Sequence, residues 1–474
     1  MSVPPAKTTR FDRSIVEGPI GPVVWKLAWP TMLQNVIGGM QGIVDHAMVG
    51  HYVGYVGNAA IGVSWQIFLV VIVFIASLYT GMAVLVARFV GANEPGKTNR
   101  TVYQAFLTSI VLSIGVMAPV GYFAAPALLD FVNAAPDVKL EALPYLRIMF
   151  VFSIGMLMFF MLGGALRSAG DARTPLRLGV LLTVMNILFN VILIRGFGPI
   201  PAFGTMGAAM GTALASGIVG VIGVYLLFSG NLVVKLSRTM NWWPDWVIIR
   251  SLFRFGLPTG FQGVAMNVAG VLLLRFIGSL ERSAAAQAAF AIGYTELFSL
   301  IAWTSAGLMG ATAAVVGQNL GAGRPDRTIE AAHAAARVGL LTAVGVGAIF
   351  MVAPRFLLGL FGMGDATVLA LGSQLLRVLA VSGLFVTVAL VYTGGLQGTG
   401  DTRSPLYISI VSQIVIPLGL CAILQATRGL NPIDIWVAIL LGHVTRCTLS
   451  VLRFRQGKWR HIVVDIGPRE AGVR

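Results

Sequence analysis

Twelve apolar stretches, each long enough to cross a bilayer as a helix, take up most of this 474-residue chain. A spanning helix needs roughly 20 apolar residues. Counted between charged or turn-rich breaks, the stretches cover approximately 27–50, 61–87, 102–124, 144–165, 175–197, 207–228, 255–278, 285–315, 334–352, 373–396, 405–425 and 432–452. Composition closes the water-soluble alternative. Hydrophobic residues make up 57% and charged residues 11%, whereas soluble domains carry about 25% charged residues. A mean hydropathy of +0.84 agrees. A soluble enzyme is excluded, and so is a disordered chain, which needs high charge and little apolar content. The expected fold class is an all-α integral membrane protein. Several stretches exceed the bilayer thickness, so tilt or bending is expected. Pro30, Pro119, Pro258 and Pro417 are candidate kinks, because each removes a backbone donor.

The net charge of +15 is read through topology. With the N-terminus placed inside, 25 of the 33 Lys and Arg fall on the inner side, among them Lys7, Arg10, Arg167, Arg238, Arg446, Arg469 and Arg474. The other side keeps Lys139, Arg147, Arg195, Arg275, Arg282, Arg355, Arg377 and Arg428. Positive residues collect on the cytoplasmic side, so both termini are expected there. No basic stretch is interleaved with aromatics as nucleic-acid binding requires, so no nucleic-acid partner is expected. Cys421 and Cys447 both lie in apolar stretches and build neither a disulfide framework nor a metal cluster. The first 25 residues lack an apolar core and read as a cytoplasmic tail, not a cleaved signal peptide.

The two halves repeat each other. WPTMLQ at 29–34 matches LPTGFQ at 257–262, and VGANEPGKT at 90–98 matches LGAGRPDRT at 320–328. GGALRSAGDARTPL at 163–176 matches GGLQGTGDTRSPL at 394–406. The offset stays between 228 and 230 across all three pairs. Each half holds six stretches, an even number, so both halves enter the membrane from the same side. That makes a parallel repeat about an axis along the membrane normal. The expected organisation is a tail over 1–26, a first lobe over 27–230, a linker over 231–250, a second lobe over 251–453 and a basic tail over 454–474. In the third matched pair, Thr174 and Ser404 are candidate caps for helices opening at Pro175 and Pro405. Arg173 and Arg403 read as anchors at the membrane edge, with gating as the alternative.

These stretches carry a family resemblance. PTMLQNVIGGMQGIVDHAMVGHYVG in the first span, VGANEPGK after the second, GGALRSAGDARTPL after the fourth and MNILFNVILI in the fifth resemble the multidrug and toxic compound extrusion (MATE) transporters. VGQNLGAGRPDR and GGLQGTGDTRSP repeat the pattern in the second half. The resemblance covers nearly the whole chain. It implies two six-helix lobes and ion-coupled export of organic, often cationic, compounds.

An ionisable group in the apolar interior is costly and usually functional. Gln34, Gln41 and Asp45 are spaced by 7 and then 4, so they share one face of the first helix. Such a stripe turns to the bundle interior or to a water-filled cavity. Asp45 is placed to load and release a proton or to hold Na⁺, and the resemblance implies an acid at this place. The alternative is an acid solvated near the outer interface. Thr183, Asn186 and Asn190 share a face of the fifth span. With Thr212 of the sixth they offer oxygen ligands for Na⁺, a hydrogen-bonded setting for a protonated Asp45, or polar contacts between helices. The family commonly carries an acid where Asn190 stands, so a relay of two carboxylates is not expected. Asp45 maps onto Leu273 in the second half, and QGVAMNVAG and GLFVTVALVY hold no acid where some relatives of this type have a second cation site. Ion chemistry is therefore expected in the first lobe alone. His46 and His51 flank Asp45 and could tune it.

Gln34, Gln41, Gln262, Asn267, Tyr294 and Glu296 are the candidate substrate-binding residues, since polar side chains seldom face lipid. Glu296 could draw a cation or pair with Arg275. Met32, Phe68, Tyr79, Met156, Phe159, Met266, Phe298 and Tyr392 could line a pliable cavity. The expected function is a secondary antiporter that exports organic molecules in exchange for H⁺ or Na⁺ by rocker-switch alternating access. No enzyme activity and no cofactor beyond the coupling ion are expected. The expected partners are a small organic substrate and the lipid bilayer, with the chain acting as a monomer in a bacterial inner membrane. A lipid-linked precursor flippase is an alternative, but nearly all Arg and Lys fall at loops. An integral-membrane enzyme would need a cluster that the scattered His46, His51, His333, His443 and His461 do not form. A channel fits a two-lobe repeat less well.

Overall fold

A computed structural model describes residues 11–237 and 240–466, with the side chains of 69–76 left aside. Lys7, Arg10, Arg238, Arg469 and Arg474, all assigned to the inner side, lie outside the described residues, as do the outer parts of both tails.

Helices occupy all twelve apolar stretches. The first lobe holds α1 (Ile20–Tyr52), α2 (Tyr55–Gly91), α3 (Pro95–Phe131), α4 (Pro136–Val151 and Ser153–Ser168), α5 (Arg173–Arg195) and α6 (Gly204–Phe228). The second holds α7 (Trp246–Gly278), α8 (Ser283–Gly321), α9 (Pro325–Val352), α10 (Ala366–Thr399), α11 (Arg403–Thr427) and α12 (Pro432–Arg455). Among the described residues, nine helices are long and apolar enough to cross a membrane, and the bent pair in α4 makes a tenth. α1 is long but interrupted by Lys26, Gln34, Asn35, Gln41 and Asp45.

Several helices start well before their apolar stretch. α1 begins at Ile20, α3 at Pro95 and α9 at Pro325. The extra turns of α3 and α9 are polar, so an apolar reading misses them, and those of α1 are cut from its apolar stretch by Lys26. Proline at the first position fits, because its missing N–H has no intrahelical partner there. Caps fix other ends: Asp245 accepts from the Val247 and Ile248 amides, and Asp365 from those of Thr367 and Val368. Pro30 and Pro258 sit inside continuous helices. Pro119 and Pro417 each follow a π-helical segment, Ser113–Met117 and Val411–Val415. A wider turn accommodates the backbone acceptor that proline leaves without a donor.

The caps expected at Thr174 and Ser404 are different in the structure. The helices open at Arg173 and Arg403, and the capping acceptors are carboxylates. Asp171 takes the Arg173 and Thr174 amides, and Asp401 takes the amide and hydroxyl of Ser404. An ionised acceptor makes the stronger bond to a helix N-terminus. Asp401 is further held by Arg453 at 2.9 Å.

The repeat is visible in the backbone. Asn93 and Gly323 occupy equivalent loop positions, and both are left-handed, at φ 59° and 72°. Gly170 and Gly400 match likewise, at 100° and 93°. The lobes meet through α1 against α8 and α2 against α7 and α8. Small residues allow that approach. A Cβ on Gly91 would lie 2.0 Å from the Gln318 carbonyl oxygen, and one on Gly321 would lie 2.2 Å from that of Arg88. On Gly81 and Gly256 it would meet backbone at 2.0 and 1.8 Å. All four contacts lie in the halves of the helices nearest the chain termini.

Both ends of the described chain cross that joint. Residues 11–18 were expected to form part of a free tail, yet Ile15 is fully buried. Arg324 donates to the Val16 carbonyl and Arg327 to that of Gly18, tying this segment to the second lobe. Near the other end, Arg88 of the first lobe donates to the Ile462 carbonyl, and Lys97 pairs with Asp465 at 3.1 Å. The linker is pinned too, by Tyr103 to the Trp242 carbonyl, Gln104 to that of Trp243, and Arg100 to Asp245.

Candidate functional site: a polar cavity in the first lobe

The polar stripe of α1 faces α4, α5 and α6 across a cavity of about 520 Å³. Its wall includes Gln34, Gln41 and Asp45 from α1, Thr183 from α5 and Thr212 from α6. Gln41 accepts from the Thr183 hydroxyl at 3.1 Å. Room exists because α1 and α5 carry Gly38, Gly42 and Gly179 on this wall. Met149, Met156, Phe159 and Phe160 of α4 supply the apolar side.

Asp45 sits at the end of the cavity farther from the chain termini. Asn190 donates to its Oδ1 at 2.7 Å and to Asn186 Oδ1 at 3.3 Å, and Asn186 donates to the Thr212 hydroxyl at 3.0 Å. The four expected ion-coupling residues therefore form one chain of contacts. Asn186 and Asn190 are fully buried. Asn190 Oδ1 has no hydrogen-bond partner among the described residues, which leaves one acceptor open beside the acid. Among the described residues no Lys or Arg pairs with Asp45. Gly211 is required here, since its Cβ would lie 2.1 Å from Asn190 Oδ1. His46 lies beside the site and bonds Asn58, while His51 is exposed.

Tyr145, Trp303 and Arg167 are among the wall residues that were not anticipated. Tyr145 of α4 is buried close to Asp45. Trp303 of α8 reaches over from the second lobe, packed where a Cβ on Gly39 would stand 2.3 Å from its ring. Arg167 was counted with the inner-side segments as a residue outside the helices, and this is corrected: it is buried in the last turn of α4. It donates to Gln34 Oε1 at 2.7 Å and to the Tyr79 hydroxyl at 3.2 Å. The apolar stretch stops at 165 but the helix runs to Ser168. Arg446 is corrected in the same way, being buried within α12.

The other substrate candidates do not line this cavity. Gln262 is buried in the second lobe and donates to the Ser409 hydroxyl at 2.8 Å. Asn267 is exposed and bonds its own helix at the Gly263 carbonyl. Tyr294 and Glu296 lie in a π-helical segment of α8, Ala291–Leu297. Glu296 makes no ion pair with Arg275 among the described residues. Of the apolar candidates, Met156 and Phe159 line the cavity. Met32, Phe68 and Tyr392 are buried in packing.

Known proteins share this fold. The MatE family profile matches residues 30–192 and 258–423, one segment in each lobe. The chain is 26% identical over 439 residues to a probable multidrug resistance protein NorM of Thermotoga maritima, covering 92% of each. It is 27% identical over 439 residues to the multidrug resistance protein MdtK of Pectobacterium atrosepticum, covering 90% of this chain and 94% of that one. In fold it superposes on a solved outward-facing multidrug resistance MATE transporter with a TM-score of 0.87. That match has 21% identity and covers 95% of this chain and 98% of the other. The chain is a multi-pass membrane protein and belongs to the MATE family of transporters.

Proposed function

We propose that the protein is a secondary antiporter that exports organic, often cationic, compounds in exchange for H⁺ or Na⁺. The observation that carries this reading is Asp45. It is an acid on the wall of a membrane-depth cavity, hydrogen-bonded by Asn190 at 2.7 Å and without an ion-pair partner among the described residues. A lone acid in an apolar interior favours whichever cation can reach it. The open Asn190 Oδ1 supports a proton or a metal cation there equally well. Carboxylate, amide and hydroxyl oxygens of Asp45, Asn186, Asn190 and Thr212 are ligands of the kind a hard monovalent cation takes.

The cycle follows from competition for this wall. With the cavity open away from the termini, the ion binds at Asp45 and weakens the hold on a cationic substrate, which leaves. The lobes then rock, the glycine contacts of α2 with α7 and α8 part at the terminal end, and the ion is released on that side. Substrate binds the vacated acid and the cycle reverses. The basic bias places both termini in the cytoplasm, so this direction is export from the cell, across a bacterial inner membrane, by a monomer of two lobes. Tails at 1–26 and 454–474 and the linker at 231–250 lie on the cytoplasmic face in this reading.

Proteoliposome efflux under an imposed pH or Na⁺ gradient tests it. Asp45→Asn is expected to abolish gradient-driven efflux while the protein still inserts. Efflux at the wild-type rate from that variant would overturn the mechanism, and the gradient that drives the wild type identifies the ion.

A further inference from the structure

The second lobe holds a buried polar seam of opposite character. Trp436, His443, Arg446 and Ser450 follow at spacings of 7, 3 and 4, so they share one face of α12. All four are buried, at 0%, 3%, 4% and 0% exposure. Among the described residues, Trp436 Nε1, His443 Nδ1, Arg446 Nε and Ser450 Oγ each lack a hydrogen-bond partner. At about 1.5 Å per residue, Arg446 lies roughly 21 Å from the Pro432 end of α12 and roughly 14 Å from the Arg455 end. That is inside the apolar stretch 432–452.

A guanidinium stays charged in proteins, and burying it unpaired is costly. Among the described residues, Arg446 forms no ion pair. The one hydrogen bond of its side chain among the described residues goes to Met266 Sδ at 4.0 Å. Asp434 of α12 is engaged with Arg428 and Asp401 with Arg453, and Glu296 of α8 forms no ion pair among the described residues. The facing wall is an aromatic ladder. Phe290, Tyr294 and Phe298 of α8 stack on one another, Phe290 also on Trp436 and Phe298 on His443. The ladder runs through the π-helical segment Ala291–Leu297, a distortion frequent at functional sites. Tyr294 lies within electrostatic reach of Arg446.

We propose that this seam is an anion-accepting site. Arg446 holds a negatively charged group, His443 Nδ1 donates to it in the tautomer protonated there, and the aromatic ladder packs against an attached ring. The group is a carboxylate, sulfonate or phosphate of an organic molecule, or a free chloride ion. The two lobes then present opposite polarity, an acid in the first and a cation in the second. The site stands on its own contacts and does not require the ion-coupling reading of Asp45.

Titration calorimetry on the purified full-length protein tests it without any gradient, so its failure is separate from failure of the antiport reading. The probes are benzoate and neutral benzamide in sodium gluconate, and sodium chloride alone. Benzoate binding with none of benzamide is expected, weakened about tenfold or more in Arg446→Gln by loss of charge-assisted hydrogen bonds. Chloride binding that competes with benzoate identifies a free-anion site; benzoate binding that chloride does not disturb identifies an organic carboxylate site. Met266→Glu serves if Arg446→Gln does not fold. It sets a carboxylate beside the guanidinium, so it is expected to abolish benzoate and chloride binding and raise the Tm. No binding of either anion by the wild type, binding of benzamide equal to benzoate, or unchanged binding in either variant overturns the proposal.

Discussion

Asn190 reaches Asp45 across 2.7 Å only because residue 211 of the neighbouring helix is glycine. A methyl group at 211 would stand 2.1 Å from the Asn190 carboxamide oxygen. Gly211→Ala is therefore expected to swing the amide away from Asp45. Overpacking of this kind costs about 1–3 kcal/mol, so the protein should still insert and fold. Gradient-driven efflux in proteoliposomes should fall about tenfold or more, with a smaller loss of thermal stability. Equal losses in both would mean that Gly211 serves packing alone.

Arg167 places a permanent positive charge on the cavity wall, between Gln34 and Tyr79. A cation entering the cavity meets that charge at reduced dielectric. Arg167→Gln keeps hydrogen-bonding capacity and removes the repulsion. Binding of a cationic dye such as ethidium is expected to tighten several-fold, while a neutral ligand is unaffected. Weaker binding of ethidium would show that Arg167 chiefly shapes the wall.

How much of this was legible in the sequence depends on what each residue signals locally. The twelve helices, the repeat and the stripe of Gln34, Gln41 and Asp45 follow from apolar length and helical period, which tertiary contacts do not alter. Asn186, Asn190 and Thr212 were legible as a polar face because few groups in an apolar helix are polar without purpose. Arg167 was misplaced because a charge just past the end of an apolar stretch looks like an anchor, and whether the helix continues past it is decided by packing. Arg446 was counted with the inner residues although it stands inside the 432–452 stretch, because an arginine is read as an anchor unless packing is known to bury it. Thr174 and Ser404 were mistaken for caps because Asp171 and Asp401, three residues upstream, start the helices earlier: they accept the Thr174 and Ser404 amides, which puts both residues inside the first turn. Trp303 was illegible, since only the crossing of α8 over Gly39 brings it to the cavity.

The segment from Phe11 to Gly18 offers a pH-dependent contact on the terminal face. Burial pushes the Asp12 carboxyl up, but hydrogen bonds from Lys26 and Ser14 outweigh it and hold the group below the usual carboxylate range. A depressed folded-state value stabilises the contact above the unfolded carboxylate pKa of about 3.9. That contribution is lost as pH falls through the lower folded value. Hydrogen exchange over Phe11–Gly18 is expected to rise on acidification below about pH 4. Asp12→Asn should exchange faster at neutral pH and show no such acid step. An acid step that persists in the variant would assign it to another group.

Gly91 and Gly321 are equivalent in the two repeats, and each lies on the other lobe's backbone, over Gln318 and Arg88. Arg88 and Gln318 are themselves equivalent, so the contact is reciprocal about the axis between the lobes. Backbone on both sides leaves little room to yield, unlike a contact with a flexible side chain. Gly321→Leu is expected to push the terminal ends of α2 and α8 apart without disturbing the interior of either lobe. Spin labels at Ala92 and Ala322, read by electron–electron double resonance, should then report a longer distance, and efflux should fall because the closed terminal end is disfavoured. Adding Gly91→Leu should lengthen it further. An unchanged distance in both variants would mean that the lobes are held by the terminal segments and their arginines, and that the glycine crossing only fills space between them.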